Sequence, residues 1–276
     1  MRQSATVFVG PTVVQFDMPG AGTEVLPGVP WGAIEAFPTP AYWVYQVLAR
    51  RAEGAPTRHR LGQTLTEEVA ACLLGGHGIP ASVGVAAFRR LQALEVLDEQ
   101  PSEDALHQLL SEPLNVNGRP IRYRFARQKA RYLSAAMRRL AHEHPPAESG
   151  RALRDWLVKS PGIGFKTASW VARNWLDADD VAILDIHILR AGALGGFLDE
   201  TLTVERDYLD LEAQFLRFSH AIGVRPSELD AVIWFEMMSS PLSVKQVMGG
   251  RRTATRRSRP RTHKGSSDAE QARLIE

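Results

Sequence analysis

Residues 153–190 read LRDWLVKSPGIGFKTASWVARNWLDADDVAILDIHILR, and this stretch decides the fold. Two helix-forming segments flank the turn PGIG (161–164), in which proline ends the first helix and two glycines allow a tight turn with positive φ. Without side chains at Gly162 and Gly164, backbone N–H groups can approach another surface where the next helix begins and its dipole favours an anion. The turn either grips a nucleic-acid phosphate without reading sequence or is a plain connector.

Four side chains after the turn are candidates for chemistry or anion binding. Lys166 lies in the first turn of its helix, where a cation is disfavoured. Its amine either forms a Schiff base with an aldehyde-level carbon or is a solvated surface group. Asp185 follows the apolar run 181–184 and is either an ordinary N-cap or a carboxylate that stabilises a sugar cation when an N-glycosidic bond breaks. His187 and Arg190 project from the same helix and could contact phosphate, although a lone histidine is more often a core residue.

Length and composition exclude several classes of protein. The 276 residues, 44% apolar and 23% charged, suit a globular protein of one large or two smaller domains. No apolar run approaches the ~18 residues of a membrane helix, and the start is a poor signal peptide, so we expect a cytoplasmic protein without a membrane partner. The single cysteine, Cys72, excludes intramolecular disulfides, cysteine-rich zinc sites and iron–sulfur clusters, and we interpret it as a buried hydrophobe.

Charge is distributed unevenly along the chain. Residues 1–244 carry 24 basic and 28 acidic residues, whereas residues 245–276 carry 9 basic and 3 acidic ones. We therefore expect a folded body over 1–244 and a basic, disordered tail over 245–276. Such a tail either holds a polyanion or is simply a solvated terminus.

Outside the deciding stretch, apolar residues recur mainly with helical spacing. They predict helices at 42–51, 64–74, 81–97, 102–110, 122–143, 203–222 and 226–239. Thr64 and Glu67 form a capping box, and Ser227 with Asp230 resembles another. Two short strands are predicted around Gly10-Pro11, and a loop over residues 112–120. The helix at 122–143 carries seven cations, which form either a solvated face or a phosphate-binding one. The pattern predicts an all-α body of roughly ten helices with short N-terminal strands.

The motifs of the deciding stretch closely resemble those of the helix-hairpin-helix DNA glycosylases. Within that superfamily the chain is most similar to the prokaryotic branch of the 8-oxoguanine DNA glycosylases. The likeness lies in PGIGFKTAS (161–169), RN (173–174) and AILDIHILR (182–190), with weaker echoes in RFARQKARYL (124–133) and GGHGIPASVGVAAF (75–88). Lys166 and Asp185 are 19 positions apart, which fits the family pattern.

The resemblance implies two helical lobes with a cleft that receives a base flipped out of double-stranded DNA. Lys166 would displace the base, the resulting imine would undergo β-elimination, and Asp185 would act electrostatically. The implied activity is that of a bifunctional 8-oxoguanine DNA glycosylase/AP lyase in base-excision repair, acting as a monomer without a cofactor or metal, at the nucleoid if the source is prokaryotic. Two alternatives stay open: a glycosylase for a different damaged base, and a non-catalytic DNA-binding module.

Several aromatic residues and one glycine-rich loop are candidates for the pocket that holds the flipped base. Trp170 follows Lys166 by four residues and shares its helix face, so it either stacks on the base or belongs to the core. Further aromatic candidates are Trp31, Trp43, Trp234 and Phe235. The loop at 75–78, including Gly76, could present a backbone carbonyl to the N7–H of 8-oxoguanine, a hydrogen that guanine lacks.

Overall fold

The structure is a computed structural model that describes residues 2–54, 60–76 and 78–239. The chain divides into two compact units, Met1–Glu236 and Met237–Glu276, and only residues 237–239 of the second unit are described. The predicted boundary at residue 244 and the predicted disordered tail over 245–276 lie outside the described residues, as does His77 of the glycine-rich loop. These expectations stay predictions.

Helices make up most of the described residues, so the predicted all-α fold is confirmed. They are α1 (Pro40–Ala52), α2 (Leu65–Leu74), α3 (Ala81–Ala93), α4 (Glu103–Ser111), α5 (Ala126–His142), α6 (Gly150–Leu157), α7 (Phe165–Leu176), α8 (Ile186–Gly195), α9 (Tyr208–Ala221) and α10 (Pro226–Ser239). The helix-hairpin-helix turn joins α6 to α7, and α8 follows the apolar run that ends at Asp185.

Three antiparallel hairpins accompany the helices in the described residues. The predicted N-terminal strands are present as β1 (Gln3–Val9) and β2 (Thr12–Met18), and a shorter pair, β3 (Glu24–Leu26) and β4 (Val29–Pro30), follows. The loop predicted over 112–120 is wrong in part, because β5 (Leu114–Val116) and β6 (Arg119–Ile121) pair there. Asn117 and Gly118 both have positive φ, as a two-residue hairpin turn requires.

The main hydrophobic core is formed by α2 to α7. Phe88, Leu106, Leu133 and Leu153, from α3, α4, α5 and α6, are completely buried in it. Helix α2 is buried along nearly its whole length and packs against α3, α5 and α7, while α6 packs against α7. The helix that carries Lys166 therefore packs against both α2 and α6.

Capping hydrogen bonds define where several helices begin. Thr64 Oγ1 accepts from the Glu67 N–H (3.2 Å), as the capping-box pattern predicts. The second predicted box is wrong: α10 begins at Pro226, so Ser227 lies inside the helix rather than at its cap. The Ser227 N–H bonds instead to Asp179 Oδ1 (3.1 Å), and Asp230 faces the interior.

Cys72 is buried as predicted, and burial raises the pKa of its thiol well above the usual value. Within residues 2–54, 60–76 and 78–239, no helix is long and apolar enough to cross a membrane. No group of three or more His, Cys, Asp or Glu side chains in that part of the chain is arranged to hold a metal ion.

Candidate active site

The turn between α6 and α7 is closed by backbone hydrogen bonds and anchored by one side chain. The Ser160 N–H bonds to Leu157 O (2.9 Å), and the Ile163 N–H bonds to Ser160 O (3.2 Å). The Ile163 side chain is buried in the main core, whereas both glycines of the turn are exposed. The turn therefore presents its backbone to solvent at the N-terminus of α7.

The fold makes different demands on the two exposed glycines. Gly162 has φ +79°, and a Cβ atom there would lie 2.1 Å from Cδ2 of Tyr132 on α5. Gly164 has φ −87°, and a Cβ atom there would meet no atom of the described residues within 4 Å. Glycine at 162 is thus explained by a contact with α5, whereas no contact with the described part of the chain explains glycine at 164.

The cations of the α5 region divide into two groups. Lys129 turns inward, where its Nζ donates to Leu73 O (2.6 Å) and Gly75 O (3.2 Å) and burial lowers its pKa. Arg139 also turns inward and donates to Trp156 O (2.8 Å). Lys129 and Arg139 therefore leave the predicted cationic face, and the choice between a solvated and a phosphate-binding face applies to the cations that stay exposed. The exposed group includes Arg122, Arg124, Arg127 and Arg131.

Lys166 is the second residue of α7 and is half-buried. Its Nζ forms no hydrogen bond or ion pair with the part of the chain that the structure describes. Trp170, one turn later and also half-buried, packs on the glycine-rich loop, since its ring atoms lie 3.5 Å from the position of a Cβ on Gly75. The carbonyl of Gly76 accepts from the Ile79 N–H (3.1 Å). The structure thus brings Trp170 and this loop together.

Asp185 is the N-cap of α8. Its Oδ1 accepts from the N–H groups of His187 (2.8 Å) and Ile188 (3.0 Å). Its Oδ2 has no hydrogen-bond partner among the described residues. The capping role considered from the sequence is therefore real, and it occupies only one of the two carboxylate oxygens.

One buried side chain links the start of α7 to the residues before Asp185. The ring of Tyr208 stacks on Phe165, with centroids 5.3 Å apart and planes 19° apart. Its hydroxyl donates to Ala182 O (2.7 Å) and accepts from the Leu184 N–H (3.3 Å). Phe165 precedes Lys166 and Leu184 precedes Asp185, so one side chain spans the two segments that carry the candidate amine and carboxylate. The sequence contains no motif that indicates this role for Tyr208.

Of the two remaining candidates on α8, His187 lies beside α10. His187 is half-buried, and its ring meets Trp234 edge-on with centroids 6.4 Å apart. Arg190 is half-buried one turn later. His187 is therefore neither a core histidine nor fully solvated, and its neighbour Trp234 is 40% exposed.

The aromatic candidates for a base pocket differ in how much of each side chain is exposed. Trp43 is completely buried and Trp31 is 8% exposed, so both belong to the interior and are wrong as pocket residues. Phe235 is exposed, with the Arg50 guanidinium 4.1 Å from its ring centroid. Phe235, Trp234 and the half-buried Trp170 remain accessible to a ligand.

A buried ion pair joins α7 to α10. Arg173 Nη2 lies 3.2 Å from Asp230 Oδ1, and both side chains are less than a tenth exposed. Burial raises the pKa of Asp230 to about 7; Arg173 opposes this shift, whereas the negative charges of Asp185 and Asp179 add to it. The candidate catalytic carboxylate thus lies within electrostatic reach of a second one, which the sequence had indicated only as part of a cap.

Comparison with known proteins adds independent information. The family model described as 8-oxoguanine DNA glycosylase matches residues 55–224. An 8-oxoguanine DNA glycosylase/AP lyase of Methanocaldococcus jannaschii is 36% identical over 119 residues, which are 41% of this chain and 56% of the relative. One from Thermoplasma acidophilum is 39% identical over 84 residues, covering 30% and 40%. The chain thus spans about half the length of the curated relatives it matches.

A solved structure shows the same fold over a longer stretch. The crystal structure of the Methanocaldococcus jannaschii 8-oxoguanine DNA glycosylase superposes with a TM-score of 0.50 and 28% sequence identity. The superposition covers 63% of this chain and 78% of that chain. The helical architecture around the turn is therefore shared with a glycosylase.

Proposed function

Because the chain belongs to the 8-oxoguanine DNA glycosylase family, whose model matches residues 55–224, we propose that it is a bifunctional 8-oxoguanine DNA glycosylase/AP lyase of base-excision repair. The observation that carries the proposal is the contact of Tyr208 with both Phe165 and Leu184, the residues that precede Lys166 and Asp185. This contact supports a single site that holds both an amine and a carboxylate, whereas a module that only binds DNA needs neither.

The substrate is double-stranded DNA that contains a damaged base, bound by one copy of the chain. Gly164 is exposed and meets no contact among the described residues that would require glycine, which supports close approach of a phosphate to the backbone N–H groups there and at Gly162. The exposed arginines of the α5 region add attraction that does not depend on sequence. His187 and Arg190 complete the proposed phosphate contacts from α8.

The proposed chemistry uses only side chains of the chain. The base is flipped out of the duplex, and the Lys166 amine attacks C1′ while the N-glycosidic bond breaks and the base leaves with the bonding electron pair. Oδ2 of Asp185 stabilises the positive charge that develops on the sugar. Opening of the sugar ring gives an imine, and loss of a C2′ proton then expels the 3′ phosphate. No cofactor or metal is needed.

The proposed base pocket consists of Trp170, Phe235 and the loop at Gly76. Trp170 already packs on this loop, so a base stacked on its ring would lie beside the loop carbonyls. The Gly76 carbonyl accepts one N–H from Ile79, and its second lone pair is available to the N7–H of 8-oxoguanine.

Borohydride trapping tests the proposal. Reduction of the imine on a duplex with a single 8-oxoguanine should link wild-type protein covalently to DNA, and Lys166→Gln should abolish the product. Lys159→Gln is the matched control, because Lys159 is an exposed lysine just before the turn and should trap like wild type. Equal trapping by Lys166→Gln would refute the assignment of the nucleophile. Trapping on another single-lesion duplex, with none on 8-oxoguanine, would refute the assignment of the lesion.

A further inference from the structure

The residues that lead to Asp185 lack regular secondary structure of their own. Residues 181–185 form neither helix nor strand, and Val181, Ala182 and Leu184 are almost fully buried. Buried backbone N–H and C=O groups need partners, since an unsatisfied group costs free energy. In this segment, side chains of α9 supply several of those partners.

Two residues one turn apart on α9 hold the segment. The Tyr208 hydroxyl bonds to Ala182 O and to the Leu184 N–H, and Glu212 Oε1 accepts from the Ala182 N–H (3.0 Å). Glu212 is itself buried and paired with Arg154 of α6. The segment is therefore fixed at both polar groups of Ala182 and at the last N–H before Asp185.

The two halves of the Tyr208 side chain serve different neighbours. The hydroxyl accepts from the N–H of Leu184, the residue before Asp185. The ring stacks on Phe165, the residue before Lys166. Burial raises the pKa of the Tyr208 phenol, so the hydroxyl stays protonated near neutral pH and can donate to Ala182 O.

We propose that Tyr208 is a positioning residue for base excision, which sets the Asp185 carboxylate relative to the Lys166 amine without touching the substrate. The inference rests on the proposed function. Displacing a catalytic group by about 1 Å can cost roughly 100-fold in rate, so loss of one hydroxyl can reduce chemistry while leaving substrate binding intact.

Two variants separate the two halves of the side chain. Tyr208→Phe keeps the ring and frees the Leu184 N–H. We expect single-turnover excision of 8-oxoguanine at saturating DNA to fall about 10- to 100-fold with an unchanged Kd. Strand cleavage at a preformed abasic site should fall less than about threefold, because a free aldehyde needs Lys166 but no stabilised sugar cation. Phe165→Leu disturbs the Lys166 side instead and should slow both reactions.

A control on the same helix accounts for general destabilisation. Ser219 is fully buried on α9, and its hydroxyl donates to Val224 O (2.6 Å) far along the chain from residues 181–185. Ser219→Ala therefore removes a buried hydroxyl without touching the segment, and it should excise 8-oxoguanine at the wild-type rate. Equal rates for Tyr208→Phe and wild type, or equal losses in excision and abasic-site cleavage for Tyr208→Phe, would overturn the inference.

Hydrogen exchange keeps this inference separable from the proposed function. In Tyr208→Phe the amides of residues 181–185 should exchange at least about fivefold faster than in wild type, whereas Ser219→Ala should leave them unchanged. If wild-type protein does not excise 8-oxoguanine, the proposed function fails, and the exchange result still decides whether Tyr208 fixes this segment. Unchanged exchange in Tyr208→Phe would contradict the positioning role whatever the substrate is.

Discussion

Replacing Gly162 by alanine tests the conformation of the turn independently of DNA binding. The backbone there has φ +79°, a left-handed conformation that costs an alanine about 1–2 kcal/mol. The added Cβ would also lie 2.1 Å from Tyr132 Cδ2, so the ring must move, and overpacking of this kind costs about 1–3 kcal/mol. The two effects together predict that the free energy of unfolding falls by about 2–5 kcal/mol.

Gly164 supplies the matched comparison two residues away. Its φ is ordinary and an added Cβ meets no described residue within 4 Å, so Gly164→Ala should change the free energy of unfolding by less than about 0.5 kcal/mol. A methyl group there would nevertheless stand between the backbone and a phosphate. Loss of one charge-assisted hydrogen bond, about 1.5–3 kcal/mol, should weaken DNA binding roughly 10- to 100-fold.

Urea denaturation and fluorescence anisotropy on a duplex measure the two effects separately. For a folded body of this size, the loss expected for Gly162→Ala corresponds to a fall in Tm of roughly 4–20 °C. The reasoning about Tyr132 is refuted if Gly162→Ala unfolds at the wild-type urea concentration. If Gly164→Ala instead binds DNA as tightly as wild type, the turn is only a connector.

Two further predictions concern carboxylates. Asp230 has a pKa of about 7 in the folded protein, well above its ordinary 3.8, so Asp230 ionises at lower pH in the unfolded chain than in the folded one. The free energy of unfolding should therefore fall by at most about 4 kcal/mol as the pH rises from about 4 to 7. Urea titrations at several pH values measure this slope, and Asp230→Asn should flatten it. An unchanged slope would show that Asp230 is not the titrating group. Asp185→Asn keeps an oxygen that accepts from the His187 and Ile188 N–H groups, so the Tm of this variant should stay near that of wild type. Its single-turnover excision rate should fall about 10²- to 10³-fold, because the negative charge is lost. An excision rate equal to that of wild type would remove Asp185 from the mechanism.

Local signals in the sequence were sufficient for most of the helices. Apolar periodicity and polar caps such as Thr64 act within one or two turns, so they can be read without knowing the fold. The hairpin at Asn117-Gly118 was also readable, since this dipeptide is a strong turn signal, but the short strands around it were interpreted as a loop.

The first residue of α5 could not be predicted from local sequence signals. Tyr123 fits the helical period of residues 122–143, yet α5 begins only at Ala126. The Tyr123 hydroxyl donates to Leu74 O (2.6 Å) at the end of α2, which ties this residue to a segment 49 positions earlier. Lys129 was expected only as one of the seven cations of this helix, whereas its Nζ turns inward to the carbonyls of Leu73 (2.6 Å) and Gly75 (3.2 Å), which lie 56 and 54 positions earlier in the chain.

The candidate site shows the same division between local and long-range information. Lys166 and Asp185 belong to one compact motif, and a resemblance found there also predicted the fold. Tyr208 and Asp230 lie on α9 and α10 and act on the motif through a stack, hydrogen bonds and an ion pair. No local motif marks Tyr208, and the sequence around Asp230 indicated only a helix cap, because the contacts depend on how helices far apart in the chain pack together.

Asp185 shows why a structural and a catalytic interpretation of one residue need not compete. From the sequence, an N-cap and a charge-stabilising carboxylate were alternatives. In the structure Oδ1 takes both capping bonds, which fixes the side-chain torsion, while Oδ2 is left without a protein partner among the described residues. A mobile aspartate would lose rotamer entropy when it orders beside a sugar cation, whereas the Asp185 side chain is already ordered in the folded protein. The cap is therefore what preorganises the carboxylate for the chemistry proposed for it.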